Sequence, residues 1–234
     1  MGGGGAHVAE PLGERIRRLR RAAGLTQSEL AGGRFSKEYV SQIERGKTRP
    51  RAATLAWIAD RLGVDAALLA TGVSAAERER LEAQLARVEA LSEQRRYEEA
   101  AAACAALRTE VARIEAPDLA LRALLAEGWA RAQLGELKSA LALLQEAREL
   151  AEDARFSDLD RAETLYRLGV CRYQLSSVAT ALALLDEALA LADRSPLPCD
   201  LLRVSILSWR SRCFRRQRDF QAAREDEERA LELA

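Results

Sequence analysis

Aromatic residues are scarce in this chain, at 5% of 234 positions, and it holds only five prolines and one histidine. Ala, Leu, Arg and Glu recur instead, a balance that favours helix formers over the residues that pack well in strands. The chain is expected to be all-α. Its four cysteines, Cys104, Cys171, Cys199 and Cys213, stand far apart with no C-x-x-C pair, and His7 lies in a glycine-rich start. Metal-ligand spacing is therefore missing, and buried free thiols are expected. There is no glycine-rich phosphate loop, no nucleophile elbow and no histidine beyond the start to act as a base, so nothing points to an enzyme or a cofactor. No apolar run approaches the roughly 20 residues that span a bilayer, and Met1 is followed by Gly2 to Gly5 rather than by the parts of a signal peptide. A cytoplasmic protein with no membrane partner and a disordered tail over 1–10 is the expectation.

What is present in quantity is charge. Thirty-six basic residues balance thirty-six acidic ones, and 48% of the chain is hydrophobic, enough to build packed cores. The zero sum hides an asymmetry. Through Gly72 there are twelve basic and seven acidic residues, a surplus of five, and the rest carries the matching deficit. A basic third joined to acidic two-thirds suggests that one part meets a polyanion and the other does not.

From Leu12 to Ala23 the apolar positions Leu12, Ile16, Leu19 and Ala23 recur at helical spacing, and Gly24 supplies a stop. Thr26-Gln27-Ser28-Glu29 is a capping box for a short helix from Gln27 to Ala31. Gly32 and Gly33 break it, and Ser36 caps a third helix with Val40 and Ile43 inward, ending at Arg45-Gly46. Pro50 precedes a fourth helix carrying Leu55, Ile58, Ala59 and Leu62, and Asp65 caps a fifth through Leu69. A tight turn between the second and third of five short helices makes a helix-turn-helix arrangement, expected over 11–72.

The separated runs 12–20, 23–31, 39–50 and 62–64 resemble the XRE family of phage-repressor-like DNA-binding domains. That resemblance implies that the third helix enters the major groove of a palindromic operator in double-stranded DNA, bound by a homodimer. By position, Lys37, Glu38, Ser41 and Gln42 would face the bases, where they can donate to guanine, accept from cytosine or pair with adenine. Gln27, Ser36, Tyr39, Lys47, Thr48, Arg49 and Arg51 would lie along the backbone, which sets register without reading sequence. The family also pairs Glu44 with Arg20, and Trp57 is expected in the core. The segment 32–36 is one residue shorter than the family's turn, so the third helix is aligned backward from Ile43-Glu44.

Beyond Ser74 the chain repeats. Tyr97-Glu-Glu-Ala100, Leu137-Lys-Ser-Ala140, Val178-Ala-Thr-Ala181 and Phe220-Gln-Ala-Ala223 each place a bulky apolar residue three positions before an alanine, and the alanines are 40, 41 and 42 residues apart. Ala147, Ala188 and Ala230 follow seven residues on, and Gly128, Gly169 and Ser211 come twelve before, with Val88 in the first unit. Small residues at such offsets let two helices of a hairpin cross closely. The region 74–234 resembles a tetratricopeptide array, an α-solenoid of about four helical hairpins with a linker near Thr71 to Val73. A charged amphipathic segment from Ala75 to Glu93 that pairs as a coiled coil is the other reading of its first part.

Such arrays present the first helix of each hairpin on a concave face. The resemblance maps an effector groove onto Arg122, Trp129 and Gln133, then Tyr166, Tyr173 and Gln174, then Arg212, Arg215 and Arg216, suited to a peptide or a small acidic effector. Against it stands packing of the aromatics between helices and pairing of the arginines with the acidic run 225–228. The sequence has no asparagine, the residue with which peptide-binding members hold a ligand backbone. The whole resembles regulators that join these two modules, a DNA-binding transcriptional regulator whose repeats sense an effector or mediate dimerisation. An interaction scaffold in which the helix-turn-helix reads no DNA is the alternative, opposed by the basic run from Lys37 to Arg51.

Overall fold

The computed structural model describes residues 10–114 and 116–234. His7 and residues 1–9 of the expected tail lie outside them. Among the described residues every regular element is a helix: α1 (Leu12–Ala22), α2 (Gln27–Ala31), α3 (Lys37–Glu44), α4 (Ala52–Leu62), α5 (Ala66–Thr71), α6 (Ala75–Glu93), α7 (Tyr97–Val111), α8 (Pro117–Gln133), α9 (Leu137–Ala151), α10 (Asp158–Gln174), α11 (Val178–Arg194), α12 (Asp200–Gln217) and α13 (Phe220–Leu233). They form two compact units, one reaching Gln84 and taking in Thr109–Ala116, the other holding Leu85–Arg108 and Pro117–Ala234. The division falls inside α6 and α7, beyond the linker expected at 71–73.

Local chemistry sets the helix ends of the first unit. Thr26 Oγ1 accepts from the Glu29 amide while Glu29 accepts from the Thr26 amide, the reciprocal pair that satisfies two orphan donors. Ser36 Oγ accepts from the Tyr39 amide and so starts α3 at Lys37, as aligned. Asp65 caps α5 through the Ala67 amide at 2.9 Å, and its other oxygen takes the Ala75 amide at 2.8 Å. Ser74 accepts from Glu77, whose carboxylate is also held by Arg80.

The core of this unit gathers Ile16, Leu30, Val40, Ile43, Ile58 and Leu69 from five helices. Gly13 allows α1 to cross the end of α3: a Cβ there would lie 2.5 Å from the Ile43 carbonyl oxygen. Arg15 is buried among this apolar surface and donates to the Leu69 and Glu10 carbonyls. Glu10, placed by sequence in the tail, is instead held in a two-bond grip by Arg18 at 2.9 Å. Trp57, expected in the core, is half-buried, edge-on to Phe35 with Arg61 over its ring.

In the second unit α8 pairs with α9, α10 with α11 and α12 with α13, and each hairpin packs on the next. The small position of each first helix meets the residue sixteen further on. A Cβ on Gly128 would sit 2.9 Å from Leu144, and one on Gly169 2.9 Å from Leu185. In the last hairpin the same register brings Ser211 Oγ to Glu227 at 2.7 Å. Seven residues after each small position the backbone turns through positive φ, at Arg95, Gly135, Ser176 and Arg218, so all four hairpins share one turn although only one has the glycine that suits it. The four cysteines are free and buried, as expected.

Candidate nucleic-acid interface and effector face

Helical periodicity divides α3 cleanly. Val40 and Ile43 are buried, whereas Lys37, Glu38 and Gln42 are exposed and Ser41 is half-exposed. These four expected base readers line one depression of about 490 Å³ together with Gln27, Arg45 and Lys47. Lys37, Arg45, Lys47, Arg49 and Arg51 are exposed and make no ion pair among the described residues, so their charge is open to an anionic backbone. Arg45 was not singled out by sequence. It closes the C-terminal end of α3, where helical spacing returns it to the side of Ser41, and that spacing was the available signal.

Two side chains on this surface are oriented by neighbours. Thr48 Oγ1 donates to Gln42 Oε1 at 3.2 Å, which leaves the Gln42 amide hydrogens unengaged. Gln27 donates to Glu44 Oε2 at 2.8 Å, so one hydrogen of its amide is committed inward rather than to a phosphate. Glu44 also takes Arg20 Nε at 2.5 Å and Nη2 at 3.1 Å, the pair expected from sequence. Burial pushes the Glu44 carboxyl up, but the bonds from Arg20 and Gln27 outweigh it and hold the group below the usual glutamate range. Tyr39 is half-buried with its ring 5.4 Å from Phe35, and Ser36 is engaged as the cap of α3.

The expected effector residues separate into two groups. Trp129 lies 6.1 Å from Tyr166 and carries Arg167 over its ring; Tyr173 meets Trp209 edge-on at 5.5 Å. Arg212 stacks on Trp209 at 4.3 Å and Arg216 on Tyr173 at 5.1 Å, and neither makes an ion pair among the described residues. Burial raises the Tyr166 phenol, whose hydroxyl is shared with Ser205 and Trp209. Trp209 thus links α10 and α12, and sequence reasoning missed it although it lies three residues before Arg212 on the same face.

The second group is already occupied. Arg122 grips Glu89 at 2.8 Å and Arg215 pairs with Glu227 at 3.0 Å, the acidic-run pairing that sequence allowed. Gln133 and Gln174 are half-buried, and Gln174 Oε1 is buried without a partner. No helix among the described residues is long and apolar enough to cross a membrane, and no group of three or more possible metal ligands occurs among them.

Comparison with known proteins matches both halves. The family described as a helix-turn-helix domain covers residues 11–81, and that described as a tetratricopeptide repeat covers 160–234. Over 61 residues the chain is 44% identical to an uncharacterized HTH-type transcriptional regulator, y4dJ, of Sinorhizobium fredii, which is 26% of this chain and 79% of that relative. Among solved structures it is similar to Bacillus thuringiensis PlcR in complex with the peptide PapR7 and DNA, at 19% identity, covering 96% of each chain, with a TM-score of 0.43. It is also similar to ComR from S. thermophilus in complex with DNA and its signalling peptide, at 14% identity over 95% of this chain and 92% of that one, with a TM-score of 0.40.

Proposed function

This chain belongs to the helix-turn-helix family of transcriptional regulators, and from that premise we propose a division of labour between its halves. Residues 11–72 form the DNA-binding domain, which reads an operator through Lys37, Glu38, Ser41 and Gln42. Gln27, Tyr39, Lys47, Thr48, Arg49 and Arg51 hold the phosphate backbone beside them, and Ser36 fixes the start of the reading helix. The observation that carries this reading is the depression that gathers the four readers with Gln27 and Lys47 on the exposed side of α3, with Val40 and Ile43 anchoring the other side in the core.

One such domain contacts one half-site, and half-sites on one face of DNA lie about 34–36 Å apart, so the regulator acts on a palindromic operator as a homodimer. Residues 74–234 form the sensing and self-associating domain. Arg212 and Arg216, unpaired and held over Trp209 and Tyr173, support an acidic group, free or on a peptide, as the effector's contact.

Selection of double-stranded oligonucleotides at two salt concentrations tests the DNA reading. An enriched motif that changes in Lys37→Ala and Gln42→Ala supports it, each good base contact being worth about 1–3 kcal/mol of discrimination. No enrichment over random competitor sinks it. For the effector, mass spectrometry of co-purified ligand should find an acidic species that Arg212→Ala loses.

A further inference from the structure

A cavity of about 730 Å³ opens among α8, α10 and α12 in the repeat unit. Leu121, Leu125, Phe156, Leu159 and Leu202 line it, with Cys199 beside them. The volume falls within the roughly 300–1,000 Å³ of small-molecule sites. Trp129, Tyr173, Arg212 and Arg216 do not line it, and of the expected effector residues only Arg122 does.

The three arginines that line this cavity are already matched. Arg122 holds Glu89 at 2.8 Å, Arg167 donates to Glu163 at 2.6 Å and to the Leu125 carbonyl at 2.9 Å, and Arg155 holds Asp153 at 2.9 Å. Asp160 accepts from the Ser157 amide at 2.8 Å. An anionic ligand would have to displace a carboxylate that one of these arginines already holds. A peptide brings an amide and a carbonyl per residue that need partners, and these polar side chains are engaged with one another.

What remains available is apolar surface. Leu201 lines the cavity and is 86% exposed, and Leu197 before it is 56% exposed. A leucine such as Leu201, in water and lining the cavity, gains most from a ligand that covers it.

We propose that this cavity binds a small uncharged apolar molecule, its body against Leu121, Leu125, Phe156, Leu159 and Leu202 and its outer side under Leu201. The wall comes from three successive hairpins, so an occupant bridges α8, α10 and α12 and favours the hairpin packing that keeps the cavity open. The site is separate from the acidic contact at Arg212 and Arg216 and stands whether or not that contact exists.

Three probes of one chain length test it on the full protein: decan-1-ol, decanoate and decyltrimethylammonium, measured by titration calorimetry below their aggregation limits. Decanol is expected to saturate a single site at least tenfold more tightly than either charged probe. Leu201→Asp, at an exposed position that leaves the fold intact, should weaken decanol at least fivefold, and Leu159→Trp should fill the cavity and abolish saturation with the circular dichroism spectrum unchanged. Arg212→Ala should leave decanol binding as it is, which separates this site from the acidic one. Equal binding of all three probes, preference for decanoate, absence of saturable binding, or tighter competitive binding by the blocked peptide acetyl-Leu-Leu-Leu-amide would each overturn the proposal.

Discussion

Gln27 and Glu44 are joined by a 2.8 Å hydrogen bond that ties the first residue of α2 to the last residue of α3. Arg20 reaches the same carboxylate from α1, so three helices meet on one buried acid. The position of α3 is thereby linked to a group that its exposed face does not present.

Glu44→Gln should destabilise the helix-turn-helix unit by about 3–5 kcal/mol in urea denaturation, because Arg20, with 10% of its side chain exposed, is left buried without its counter-charge. The wild-type unit should also lose stability more steeply in acid than the variant, in which Glu10, Glu29 and Asp65 still contribute. The Glu44 carboxyl is held below its unfolded value, so its stabilisation is complete above the ordinary glutamate range and is lost as pH falls through the lowered value. Parallel stability curves for the two proteins from pH 7 down to pH 3 would contradict this.

Gly13→Ala should cost about 1–3 kcal/mol and reduce operator affinity, since the added Cβ meets backbone oxygens of Ile43 and Glu44 at 2.5 and 2.8 Å and α3 must move. Gly128→Ala meets Cγ and Cδ2 of Leu144 at 2.9 Å and backbone no nearer than the Ala140 oxygen at 3.6 Å, so a side chain rather than a helix has to give. Thermal unfolding should therefore rank Gly13→Ala as the more damaging, and the reverse order would refute the argument.

Arg49→Ala should weaken binding to every DNA sequence alike and reduce the slope of log K against log salt by about one unit. Arg45→Ala should do the same and in addition alter the selected motif, because Arg45 shares the depression with Lys37 and Gln42. A motif unchanged by Arg45→Ala would place that residue on the backbone only.

Cys104 should resist alkylation in the native protein. Burial pushes its thiol up to about 12, with the Glu127 charge acting in the same direction, and Sγ donates to the Ala123 carbonyl at 3.1 Å. Cys213 is raised to about 11, mainly by burial. Iodoacetamide at pH 8 should label both at least a hundredfold more slowly than in urea-unfolded chain, read by peptide mass spectrometry, and fast native labelling would contradict the burial argument.

The capped helix starts of the first unit were legible because their causes are local, whereas α5 runs to Thr71, two residues beyond the expected Leu69. Thr26 with Glu29, Ser36 and Asp65 sit within three residues of the amides they cap, so a short window holds the whole interaction. The hairpins were legible because Gly128, Gly169 and Ser211 recur at one offset from their alanines. The exposed face of α3 followed from the burial of Val40 and Ile43, which periodicity alone assigns.

The face of the repeats that carries Trp129, Tyr166 and Tyr173 was legible in direction and not in detail. Periodicity places Arg122 and Arg215 on the first helices of their hairpins, but it cannot tell that Glu89, 33 residues earlier, takes Arg122. Nor can it tell that Trp209 completes the run that Tyr166 and Tyr173 begin.

Sequence by itself therefore determined an all-α chain, the capped starts of α2, α3 and α5, the register of its repeats and the surface that α3 presents. Tertiary structure alone decided which hydrogen of Gln27 turns inward to Glu44, which arginines keep an unmatched charge, where the compact units divide within α6 and α7, and that a cavity opens among three hairpins. The physical reason is range. Caps and periodic faces depend on residues a turn or two apart, whereas charge pairing and cavity walls depend on side chains brought together from distant helices, where many partners are chemically equivalent until packing selects one.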